Sequence, residues 1–227
     1  METVLITGAS RGIGLELTKQ FLQLNYKVIA TYRGEPTSEL ASLCANNPLT
    51  LFELEVTDET SINQLVTSLG NTQIDILINN AGVIGPEQQT MTTIKQADWL
   101  TTFAINSIAP LMVSRALLGN MKVNHNPRIV TISSEMGSIS RDSVGMYAYR
   151  SSKAAVNKVM KVLAMELQEQ GISVIVLHPG WVQTDMGGQQ ADITTQESVN
   201  GIINVAKSLT LTETGQFLTW QGNELAW

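Results

Sequence analysis

The feature that most constrains this chain is the passage from a short apolar run at residues 4–6 into Thr7-Gly8-Ala9-Ser10-Arg11-Gly12-Ile13-Gly14, followed by Leu15, Leu17, Phe21 and Leu22. The run reads as a buried strand, the glycines as a tight turn, and the apolar spacing as the inner face of a helix. Similar runs rich in Val, Ile and Leu recur at 27–31, 49–54, 74–78, 128–132 and 173–177, with a late short one at 215–220. Between them lie segments of helical spacing at 14–24, 60–69, 105–121 and 147–170. Parallel neighbours in a sheet need crossover connections, and helices supply them. The alternation therefore predicts an α/β fold: a doubly wound, Rossmann-type domain with a mainly parallel sheet of six to seven strands and helices on both faces.

At 227 residues the chain is long for one domain, but single-sheet α/β proteins reach this size and no linker-like shift in composition interrupts it. Residues 1–227 are read as one dinucleotide-binding domain. Long loops near 83–96, 135–146 and 183–195 follow strand ends, where open α/β sheets bind ligands, and are the expected substrate walls.

With 43% hydrophobic and 15% charged residues, the chain can bury a full core. Its 14 basic and 20 acidic residues leave a net charge of -6, which disfavours nucleic acid and anionic membranes as partners. One cysteine, Cys44, and two scattered histidines give neither a disulfide nor metal-ligand spacing. No basic, apolar leader precedes the first strand, so the expectation is a cytoplasmic protein without metal.

Glycines after the first strand let the backbone approach a pyrophosphate, while the free N–H groups of the helix start attract its charge. The absence of a Gly-Lys-Ser/Thr ending disfavours a mononucleotide P-loop. Further along stand Asn79-Asn80-Ala81-Gly82, the pair Tyr149 and Lys153, and His178-Pro179-Gly180-Trp181-Val182-Gln183-Thr184. With Gly8, Gly12 and Gly14, this ordered set resembles the short-chain dehydrogenase/reductase family, and the chain's length and later segments resemble its C-factor and sniffer-like carbonyl-reductase branch.

The resemblance implies hydride transfer between NADP(H) and a small carbonyl or alcohol. It implies coenzyme contacts from Gly8, Ser10, Arg11, Gly12, Ile13, Gly14, Tyr32, Arg33, Glu55, Val56, Asn80, Ala81, Gly82, Tyr149, Lys153, Pro179, Gly180, Val182 and Thr184. At the end of strand two, where NAD-using relatives carry an acidic residue, the chain has Thr31-Tyr32-Arg33. Arg33 and Arg11 can pair with a 2'-phosphate that a carboxylate would repel, hence NADP(H). Glu55-Val56 replaces the family's Asp-Val at the adenine edge, and Asp58 is a candidate cap for the following helix.

Tyr149 and Lys153, four apart, share a helix face. A nearby ammonium is expected to lower the phenol's pKa from about 10. The resemblance also assigns Lys153 to the nicotinamide ribose, Ser134 to the substrate oxygen and Asn106 to a water-linked proton path. Tyr147 is expected to point elsewhere and Ser133 to face the other side of its strand. His178 completes a strand end, and Trp181 either lines the pocket or joins the core. A coenzyme-binding sensor or signalling protein is the alternative, disfavoured because Asn106, Ser134, Tyr149 and Lys153 are all present. An extended sugar-nucleotide epimerase is disfavoured by the short segment after Thr184. The helices at 105–121 and 147–170 are apolar over more than one stripe, which predicts packing against another subunit, and the resemblance implies a homodimer or homotetramer.

Overall fold

Along each strand successive side chains point to opposite faces, and here both faces are apolar. In β1 (Thr3–Ile6), Val4 and Ile6 enter one core while Leu5 enters the other; in β4 (Ile76–Asn79), Ile76 and Ile78 oppose Leu77 in the same way. A sheet buried on both sides needs two helical layers, and the computed structural model, which describes residues 1–121 and 126–227, has them.

The first layer comprises α1 (Gly12–Gln23), the short α2 (Ser38–Ser42) and α7 (Thr195–Ser208). Leu17 and Phe21 of α1 and Val199, Ile202 and Ile203 of α7 pack there against Val130 and Ile175. The second layer is α3 (Glu59–Leu69), α5 (Ala109–Met121) and α6 (Tyr147–Leu167). Ile62, Leu65, Val113, Leu117, Val156 and Met160 meet Leu5, Leu77 and Val174 on that side.

With β2 (Lys27–Tyr32), β3 (Leu49–Glu53), β5 (Arg128–Ile132), β6 (Ser173–His178) and β7 (Phe217–Thr219), the sheet has the order β3-β2-β1-β4-β5-β6-β7. Every pairing in this sheet is parallel. The chain winds one way from β1 to β3 and the other way from β4 onward. This leaves a crevice between the carboxyl ends of β1 and β4, the position at which such sheets take ligands.

Several boundaries depart from the sequence reading. The helix expected from residue 105 starts at Gln96: α4 (Gln96–Phe103) runs through a π-helical turn, Ala104–Ile108, into α5. Only Thr102 of α4 is buried, so its sequence carries little apolar periodicity. The helix Thr195–Ser208 was not anticipated as a separate element. Its start is marked by Thr194, whose side chain accepts from the backbone N–H of Glu197. The late strand contracts to Phe217–Thr219. Asp58 does cap α3, accepting from the Thr60 N–H at 2.9 Å.

The continuous helix Gln96–Met121 is long and apolar enough to cross a bilayer by length and composition. Its apolarity has a local explanation. Val113, Leu117 and Met121 are core residues, and the buried polar Asn106, Ser107, Ser114 and Asn120 are all bonded within the fold. Truncating Leu77, fully buried in the central strand, should lower unfolding stability by ~2–5 kcal/mol. Met91→Ala, in the loop before α4 and 79% exposed, should stay within about 0.5 kcal/mol. Urea unfolding of both variants checks this, and equal losses would contradict the layer assignment.

Candidate functional site

The carboxyl ends of β1 and β4 are stapled together by their own loop residues. Thr7 Oγ1 accepts the backbone N–H groups of Asn80 and Ala81, both at 3.0 Å. The Asn80 amide donates back to the carbonyls of Thr7 at 2.9 Å and Gly8 at 3.0 Å. This closeness explains two of the glycines. A Cβ at Gly8, whose φ is +69°, would lie 2.9 Å from the Ala81 backbone, and one at Gly14 would lie 2.2 Å from the Gly8 carbonyl oxygen.

At the start of α1 the N-cap residue Arg11 makes no side-chain cap bond, and the first turn carries no acidic residue. The positive end of the helix dipole is therefore available to a phosphate. Glycines that bring backbone close, together with an open helix start, fit a dinucleotide's pyrophosphate, and Gly8, Ser10, Gly12, Ile13 and Gly14 are placed to hold it. A Cβ at Gly12 would touch the Thr184 methyl at 3.4 Å, so Thr184, in the segment after β6, lies against the glycine loop.

Tyr32 ends β2 and Arg33 follows it, while Glu55 and Val56 follow β3. The arginines are already engaged. Arg33 lies 3.7 Å from Glu55, and Arg11 lies 3.2 Å from Asp185, a residue not singled out from the sequence. Glu55 also accepts from Thr57 Oγ1 at 2.8 Å, so its carboxylate is turned toward Thr57 and Arg33. Exposed pairs of this kind contribute only ~0–1 kcal/mol each, so a phosphate can displace either carboxylate.

The proton-transfer candidates converge at the ends of β4 and β5. Ser134 follows β5 and Tyr149 lies in the first turn of α6; both are buried, and the Ser134 side chain acts on the ionisation of the phenol. Lys153 Nζ, 5.8 Å from the centre of the Tyr149 ring, donates to the Ile132 carbonyl at 2.9 Å. Asn106 sits in the π-helical turn. It accepts from the Val83 N–H at 2.9 Å and donates to the Val83 carbonyl at 2.8 Å and to Ser152 Oγ at 3.0 Å. A Cβ on Gly82 would meet Asn106 Oδ1 at 3.3 Å and Lys153 Nζ at 3.7 Å, so the glycine of Asn80-Ala81-Gly82 makes room for both.

β5 ends at Ile132, so Ser133 lies beyond the strand and bonds Asn157 on α6, the helix that carries Tyr149; Tyr147 turns outward onto Trp99. His178 ends β6, with burial lowering its pKa and Glu135 opposing that shift. Trp181 is half exposed and donates to the Gly187 carbonyl at 2.8 Å, bracing the turn after β6 instead of joining the core.

One electrostatic expectation is reversed. Burial pushes the Tyr149 phenol up from its ordinary value, and the hydrogen bond with Ser134 opposes this without cancelling it. Proximity of Lys153 does not produce a lowered phenol here. Burial also pushes Lys153 down from 10.5 to about 8.

The sign of the Lys153 shift makes a stability prediction. Below pH 8 the ammonium is charged in both the folded and unfolded chain, and its burial destabilises the fold in full. Between about 8 and 10.5 only the unfolded chain keeps the proton, so stability rises with pH through that window. Relative to Lys153→Met, the native protein should gain on the order of 3 kcal/mol between pH 7 and pH 10 in urea unfolding. Parallel pH profiles for the two proteins would contradict this.

The geometry agrees with what the chain is similar to. Residues 2–197 match the short chain dehydrogenase family. The C-signal protein of Myxococcus xanthus is 39% identical over 68% of this chain and 93% of its own length. An NADPH-bound carbonyl reductase from chicken fatty liver superposes with a TM-score of 0.93 at 36% identity, covering 100% of this chain and 99% of its own. The carbonyl reductase Sniffer of D. melanogaster does so with a TM-score of 0.94 at 32% identity over 100% of both chains. A carbonyl reductase from Pseudomonas aeruginosa PAO1 in complex with NADP gives a TM-score of 0.90 at 34% identity, again over 100% of both. A strand, an open glycine turn and a buried Tyr-Lys-Ser cluster in this order, matched along most of the length, make this chain a member of the short-chain dehydrogenase/reductase family.

Proposed function

We propose that the chain, as one domain over residues 1–227, is an NADPH-dependent carbonyl reductase in which Tyr149 is the proton donor. The observation that carries this reading is that Lys153, beside the buried Tyr149 ring, lies next to Gly82 in the loop that Thr7 and Asn80 fasten to the glycine turn. Bound NADPH supplies hydride to a carbonyl carbon. The protein's residues manage the charge that then develops on oxygen.

Tyr149 donates a proton to that oxygen. Its raised pKa keeps the phenol protonated through neutral pH, which is the form a reductase needs at the start of turnover. Ser134 donates a hydrogen bond to the same oxygen, a contribution that grows as negative charge appears there. Lys153, inside the fold next to the Tyr149 ring, favours the phenolate left after proton transfer and is placed to hold the nicotinamide ribose hydroxyls. Asn106 fixes Val83 at the start of one substrate wall and shares the space beside Gly82 with Lys153, consistent with a proton path arriving from that side. At the other end Arg11 and Arg33 exchange their exposed carboxylate partners for the 2'-phosphate.

The physiological setting in this reading is the cytoplasm, and the assembly is a homodimer or homotetramer formed through the outer helices, where Leu100, Ile108 and Met165 are exposed. A one-chain mass by light scattering would remove the assembly claim.

The decisive assay follows loss of nicotinamide absorbance with ketones, aldehydes and quinones. NADPH should be favoured over NADH by about 10–100-fold in kcat/KM, the value of a charge-assisted phosphate contact. Tyr149→Phe should lower kcat by ~10²–10⁴-fold while NADPH still binds. Equal use of NADH would refute the coenzyme assignment, and an active Phe variant would refute the role of Tyr149.

A further inference from the structure

The helix that carries Tyr149 begins without a cap of its own. Its N-cap residue, Met146, has a φ of 52° in the left-handed region and offers no side-chain acceptor to the first turn. Helix starts leave backbone N–H groups unpaired, and a buried one needs a partner from elsewhere. That partner is Gln89, 60 residues earlier, in the loop between β4 and α4.

Gln89 is 5% exposed and bonded through every polar group of its side chain. Its Oε1 accepts the Tyr149 backbone N–H at 3.0 Å, and its own carbonyl accepts the Tyr147 N–H at 3.2 Å. Its Nε2 donates to the carbonyls of Ile84 and Pro86, both at 2.8 Å. The orientation of the amide follows from chemistry: two carbonyls face one end and an N–H faces the other, so only one assignment satisfies all of them. The loop also closes around this amide at Gly85, whose φ is +85° and whose Cβ, were there one, would lie 2.9 Å from Thr102 Oγ1 and 3.3 Å from Gln89 Nε2.

The same side chain therefore holds two things at once. Through its oxygen it fixes the backbone of the proposed proton donor; through its nitrogen it folds residues 84–86, part of an expected substrate wall, into a turn. We infer that Gln89 is a positioning residue that sets Tyr149 and the 84–86 wall in register with each other. The inference rests on the proposed reductase reading for its catalytic consequence, though not for the placement itself.

Two substitutions separate the two contacts. Gln89→Leu removes both. Gln89→Glu keeps an acceptor for the Tyr149 N–H, favoured at a helix start, but sets an anionic oxygen against the Ile84 and Pro86 carbonyls. Amide hydrogen exchange at Tyr147 and Tyr149 reads the cap directly, without any activity. Exchange at Tyr149 should speed up in Gln89→Leu and stay near native in Gln89→Glu.

In steady state, Gln89→Leu should lose about 10–100-fold in kcat, the scale of a reacting group displaced by about 1 Å, with the NADPH dissociation constant within about twofold of native. Gln89→Glu should recover part of the lost kcat while its carbonyl KM rises. Unchanged Tyr149 exchange in Gln89→Leu overturns the inference, as does a native kcat in that variant. So does parallel loss of kcat, NADPH binding and thermal midpoint in both variants, which marks a merely structural residue. If the native protein reduces no carbonyl while Gln89→Leu still speeds Tyr149 exchange, the reductase reading has failed and the placement stands.

Discussion

Because all seven strands of the sheet run parallel, their carboxyl ends open at one edge, and every loop that leaves a strand there enters the same space. The site is a consequence of that constraint. The glycine loop, Arg33, Val56, Asn80, Ser134 and Pro179 follow six different strands spread over most of the chain, yet all lie along the same edge of the sheet. Helices on both faces bury the sheet, so the edge is where backbone and side chains can still meet a ligand.

Convergence alone would leave the loops too far apart to act together. They are drawn in by small residues and by backbone bonding. Thr7 and Asn80 exchange hydrogen bonds across the β1–β4 gap, and Gly8 and Gly14 allow a contact that any Cβ would block. On the catalytic side, Gly82 leaves room for Asn106 and Lys153, and Gly137 is another close approach, its Cβ position lying 2.6 Å from the Lys153 backbone. Buried polar groups in such tight surroundings are stable only when bonded, and Asn106, Ser133 and Lys153 each find an internal partner.

Much of this was legible in the sequence because it is local. Apolar runs and helical spacing located the strands and the longer helices, and with them Gly8, Asn80, Ser134 and Pro179 fell after β1, β4, β5 and β6 and Tyr149 at the start of a helix. What stayed hidden depends on contacts between distant residues or on weak periodicity. α4 buries only Thr102, so its polar surface gave no helical stripe. Asp185 meets Arg11 across 174 residues, and Gln89 meets Tyr149 across 60, neither with a local signature. The direction of the Tyr149 pKa is hidden for the same kind of reason: a neighbouring lysine can be read from spacing, whereas the depth of burial that raises the phenol cannot.

The buried phenol gives the account its direction. In the proposed reading, a tyrosine kept protonated by burial, with Ser134 and a buried lysine beside it, gives a proton when charge appears on a neighbouring oxygen. A crystal structure with oxidised coenzyme and an alcohol product tests this most directly. The account predicts the alcohol oxygen at about 2.6–3.2 Å from both the Tyr149 and Ser134 hydroxyls, with its carbon facing the nicotinamide ring. An alcohol oxygen bound out of reach of both hydroxyls would contradict it.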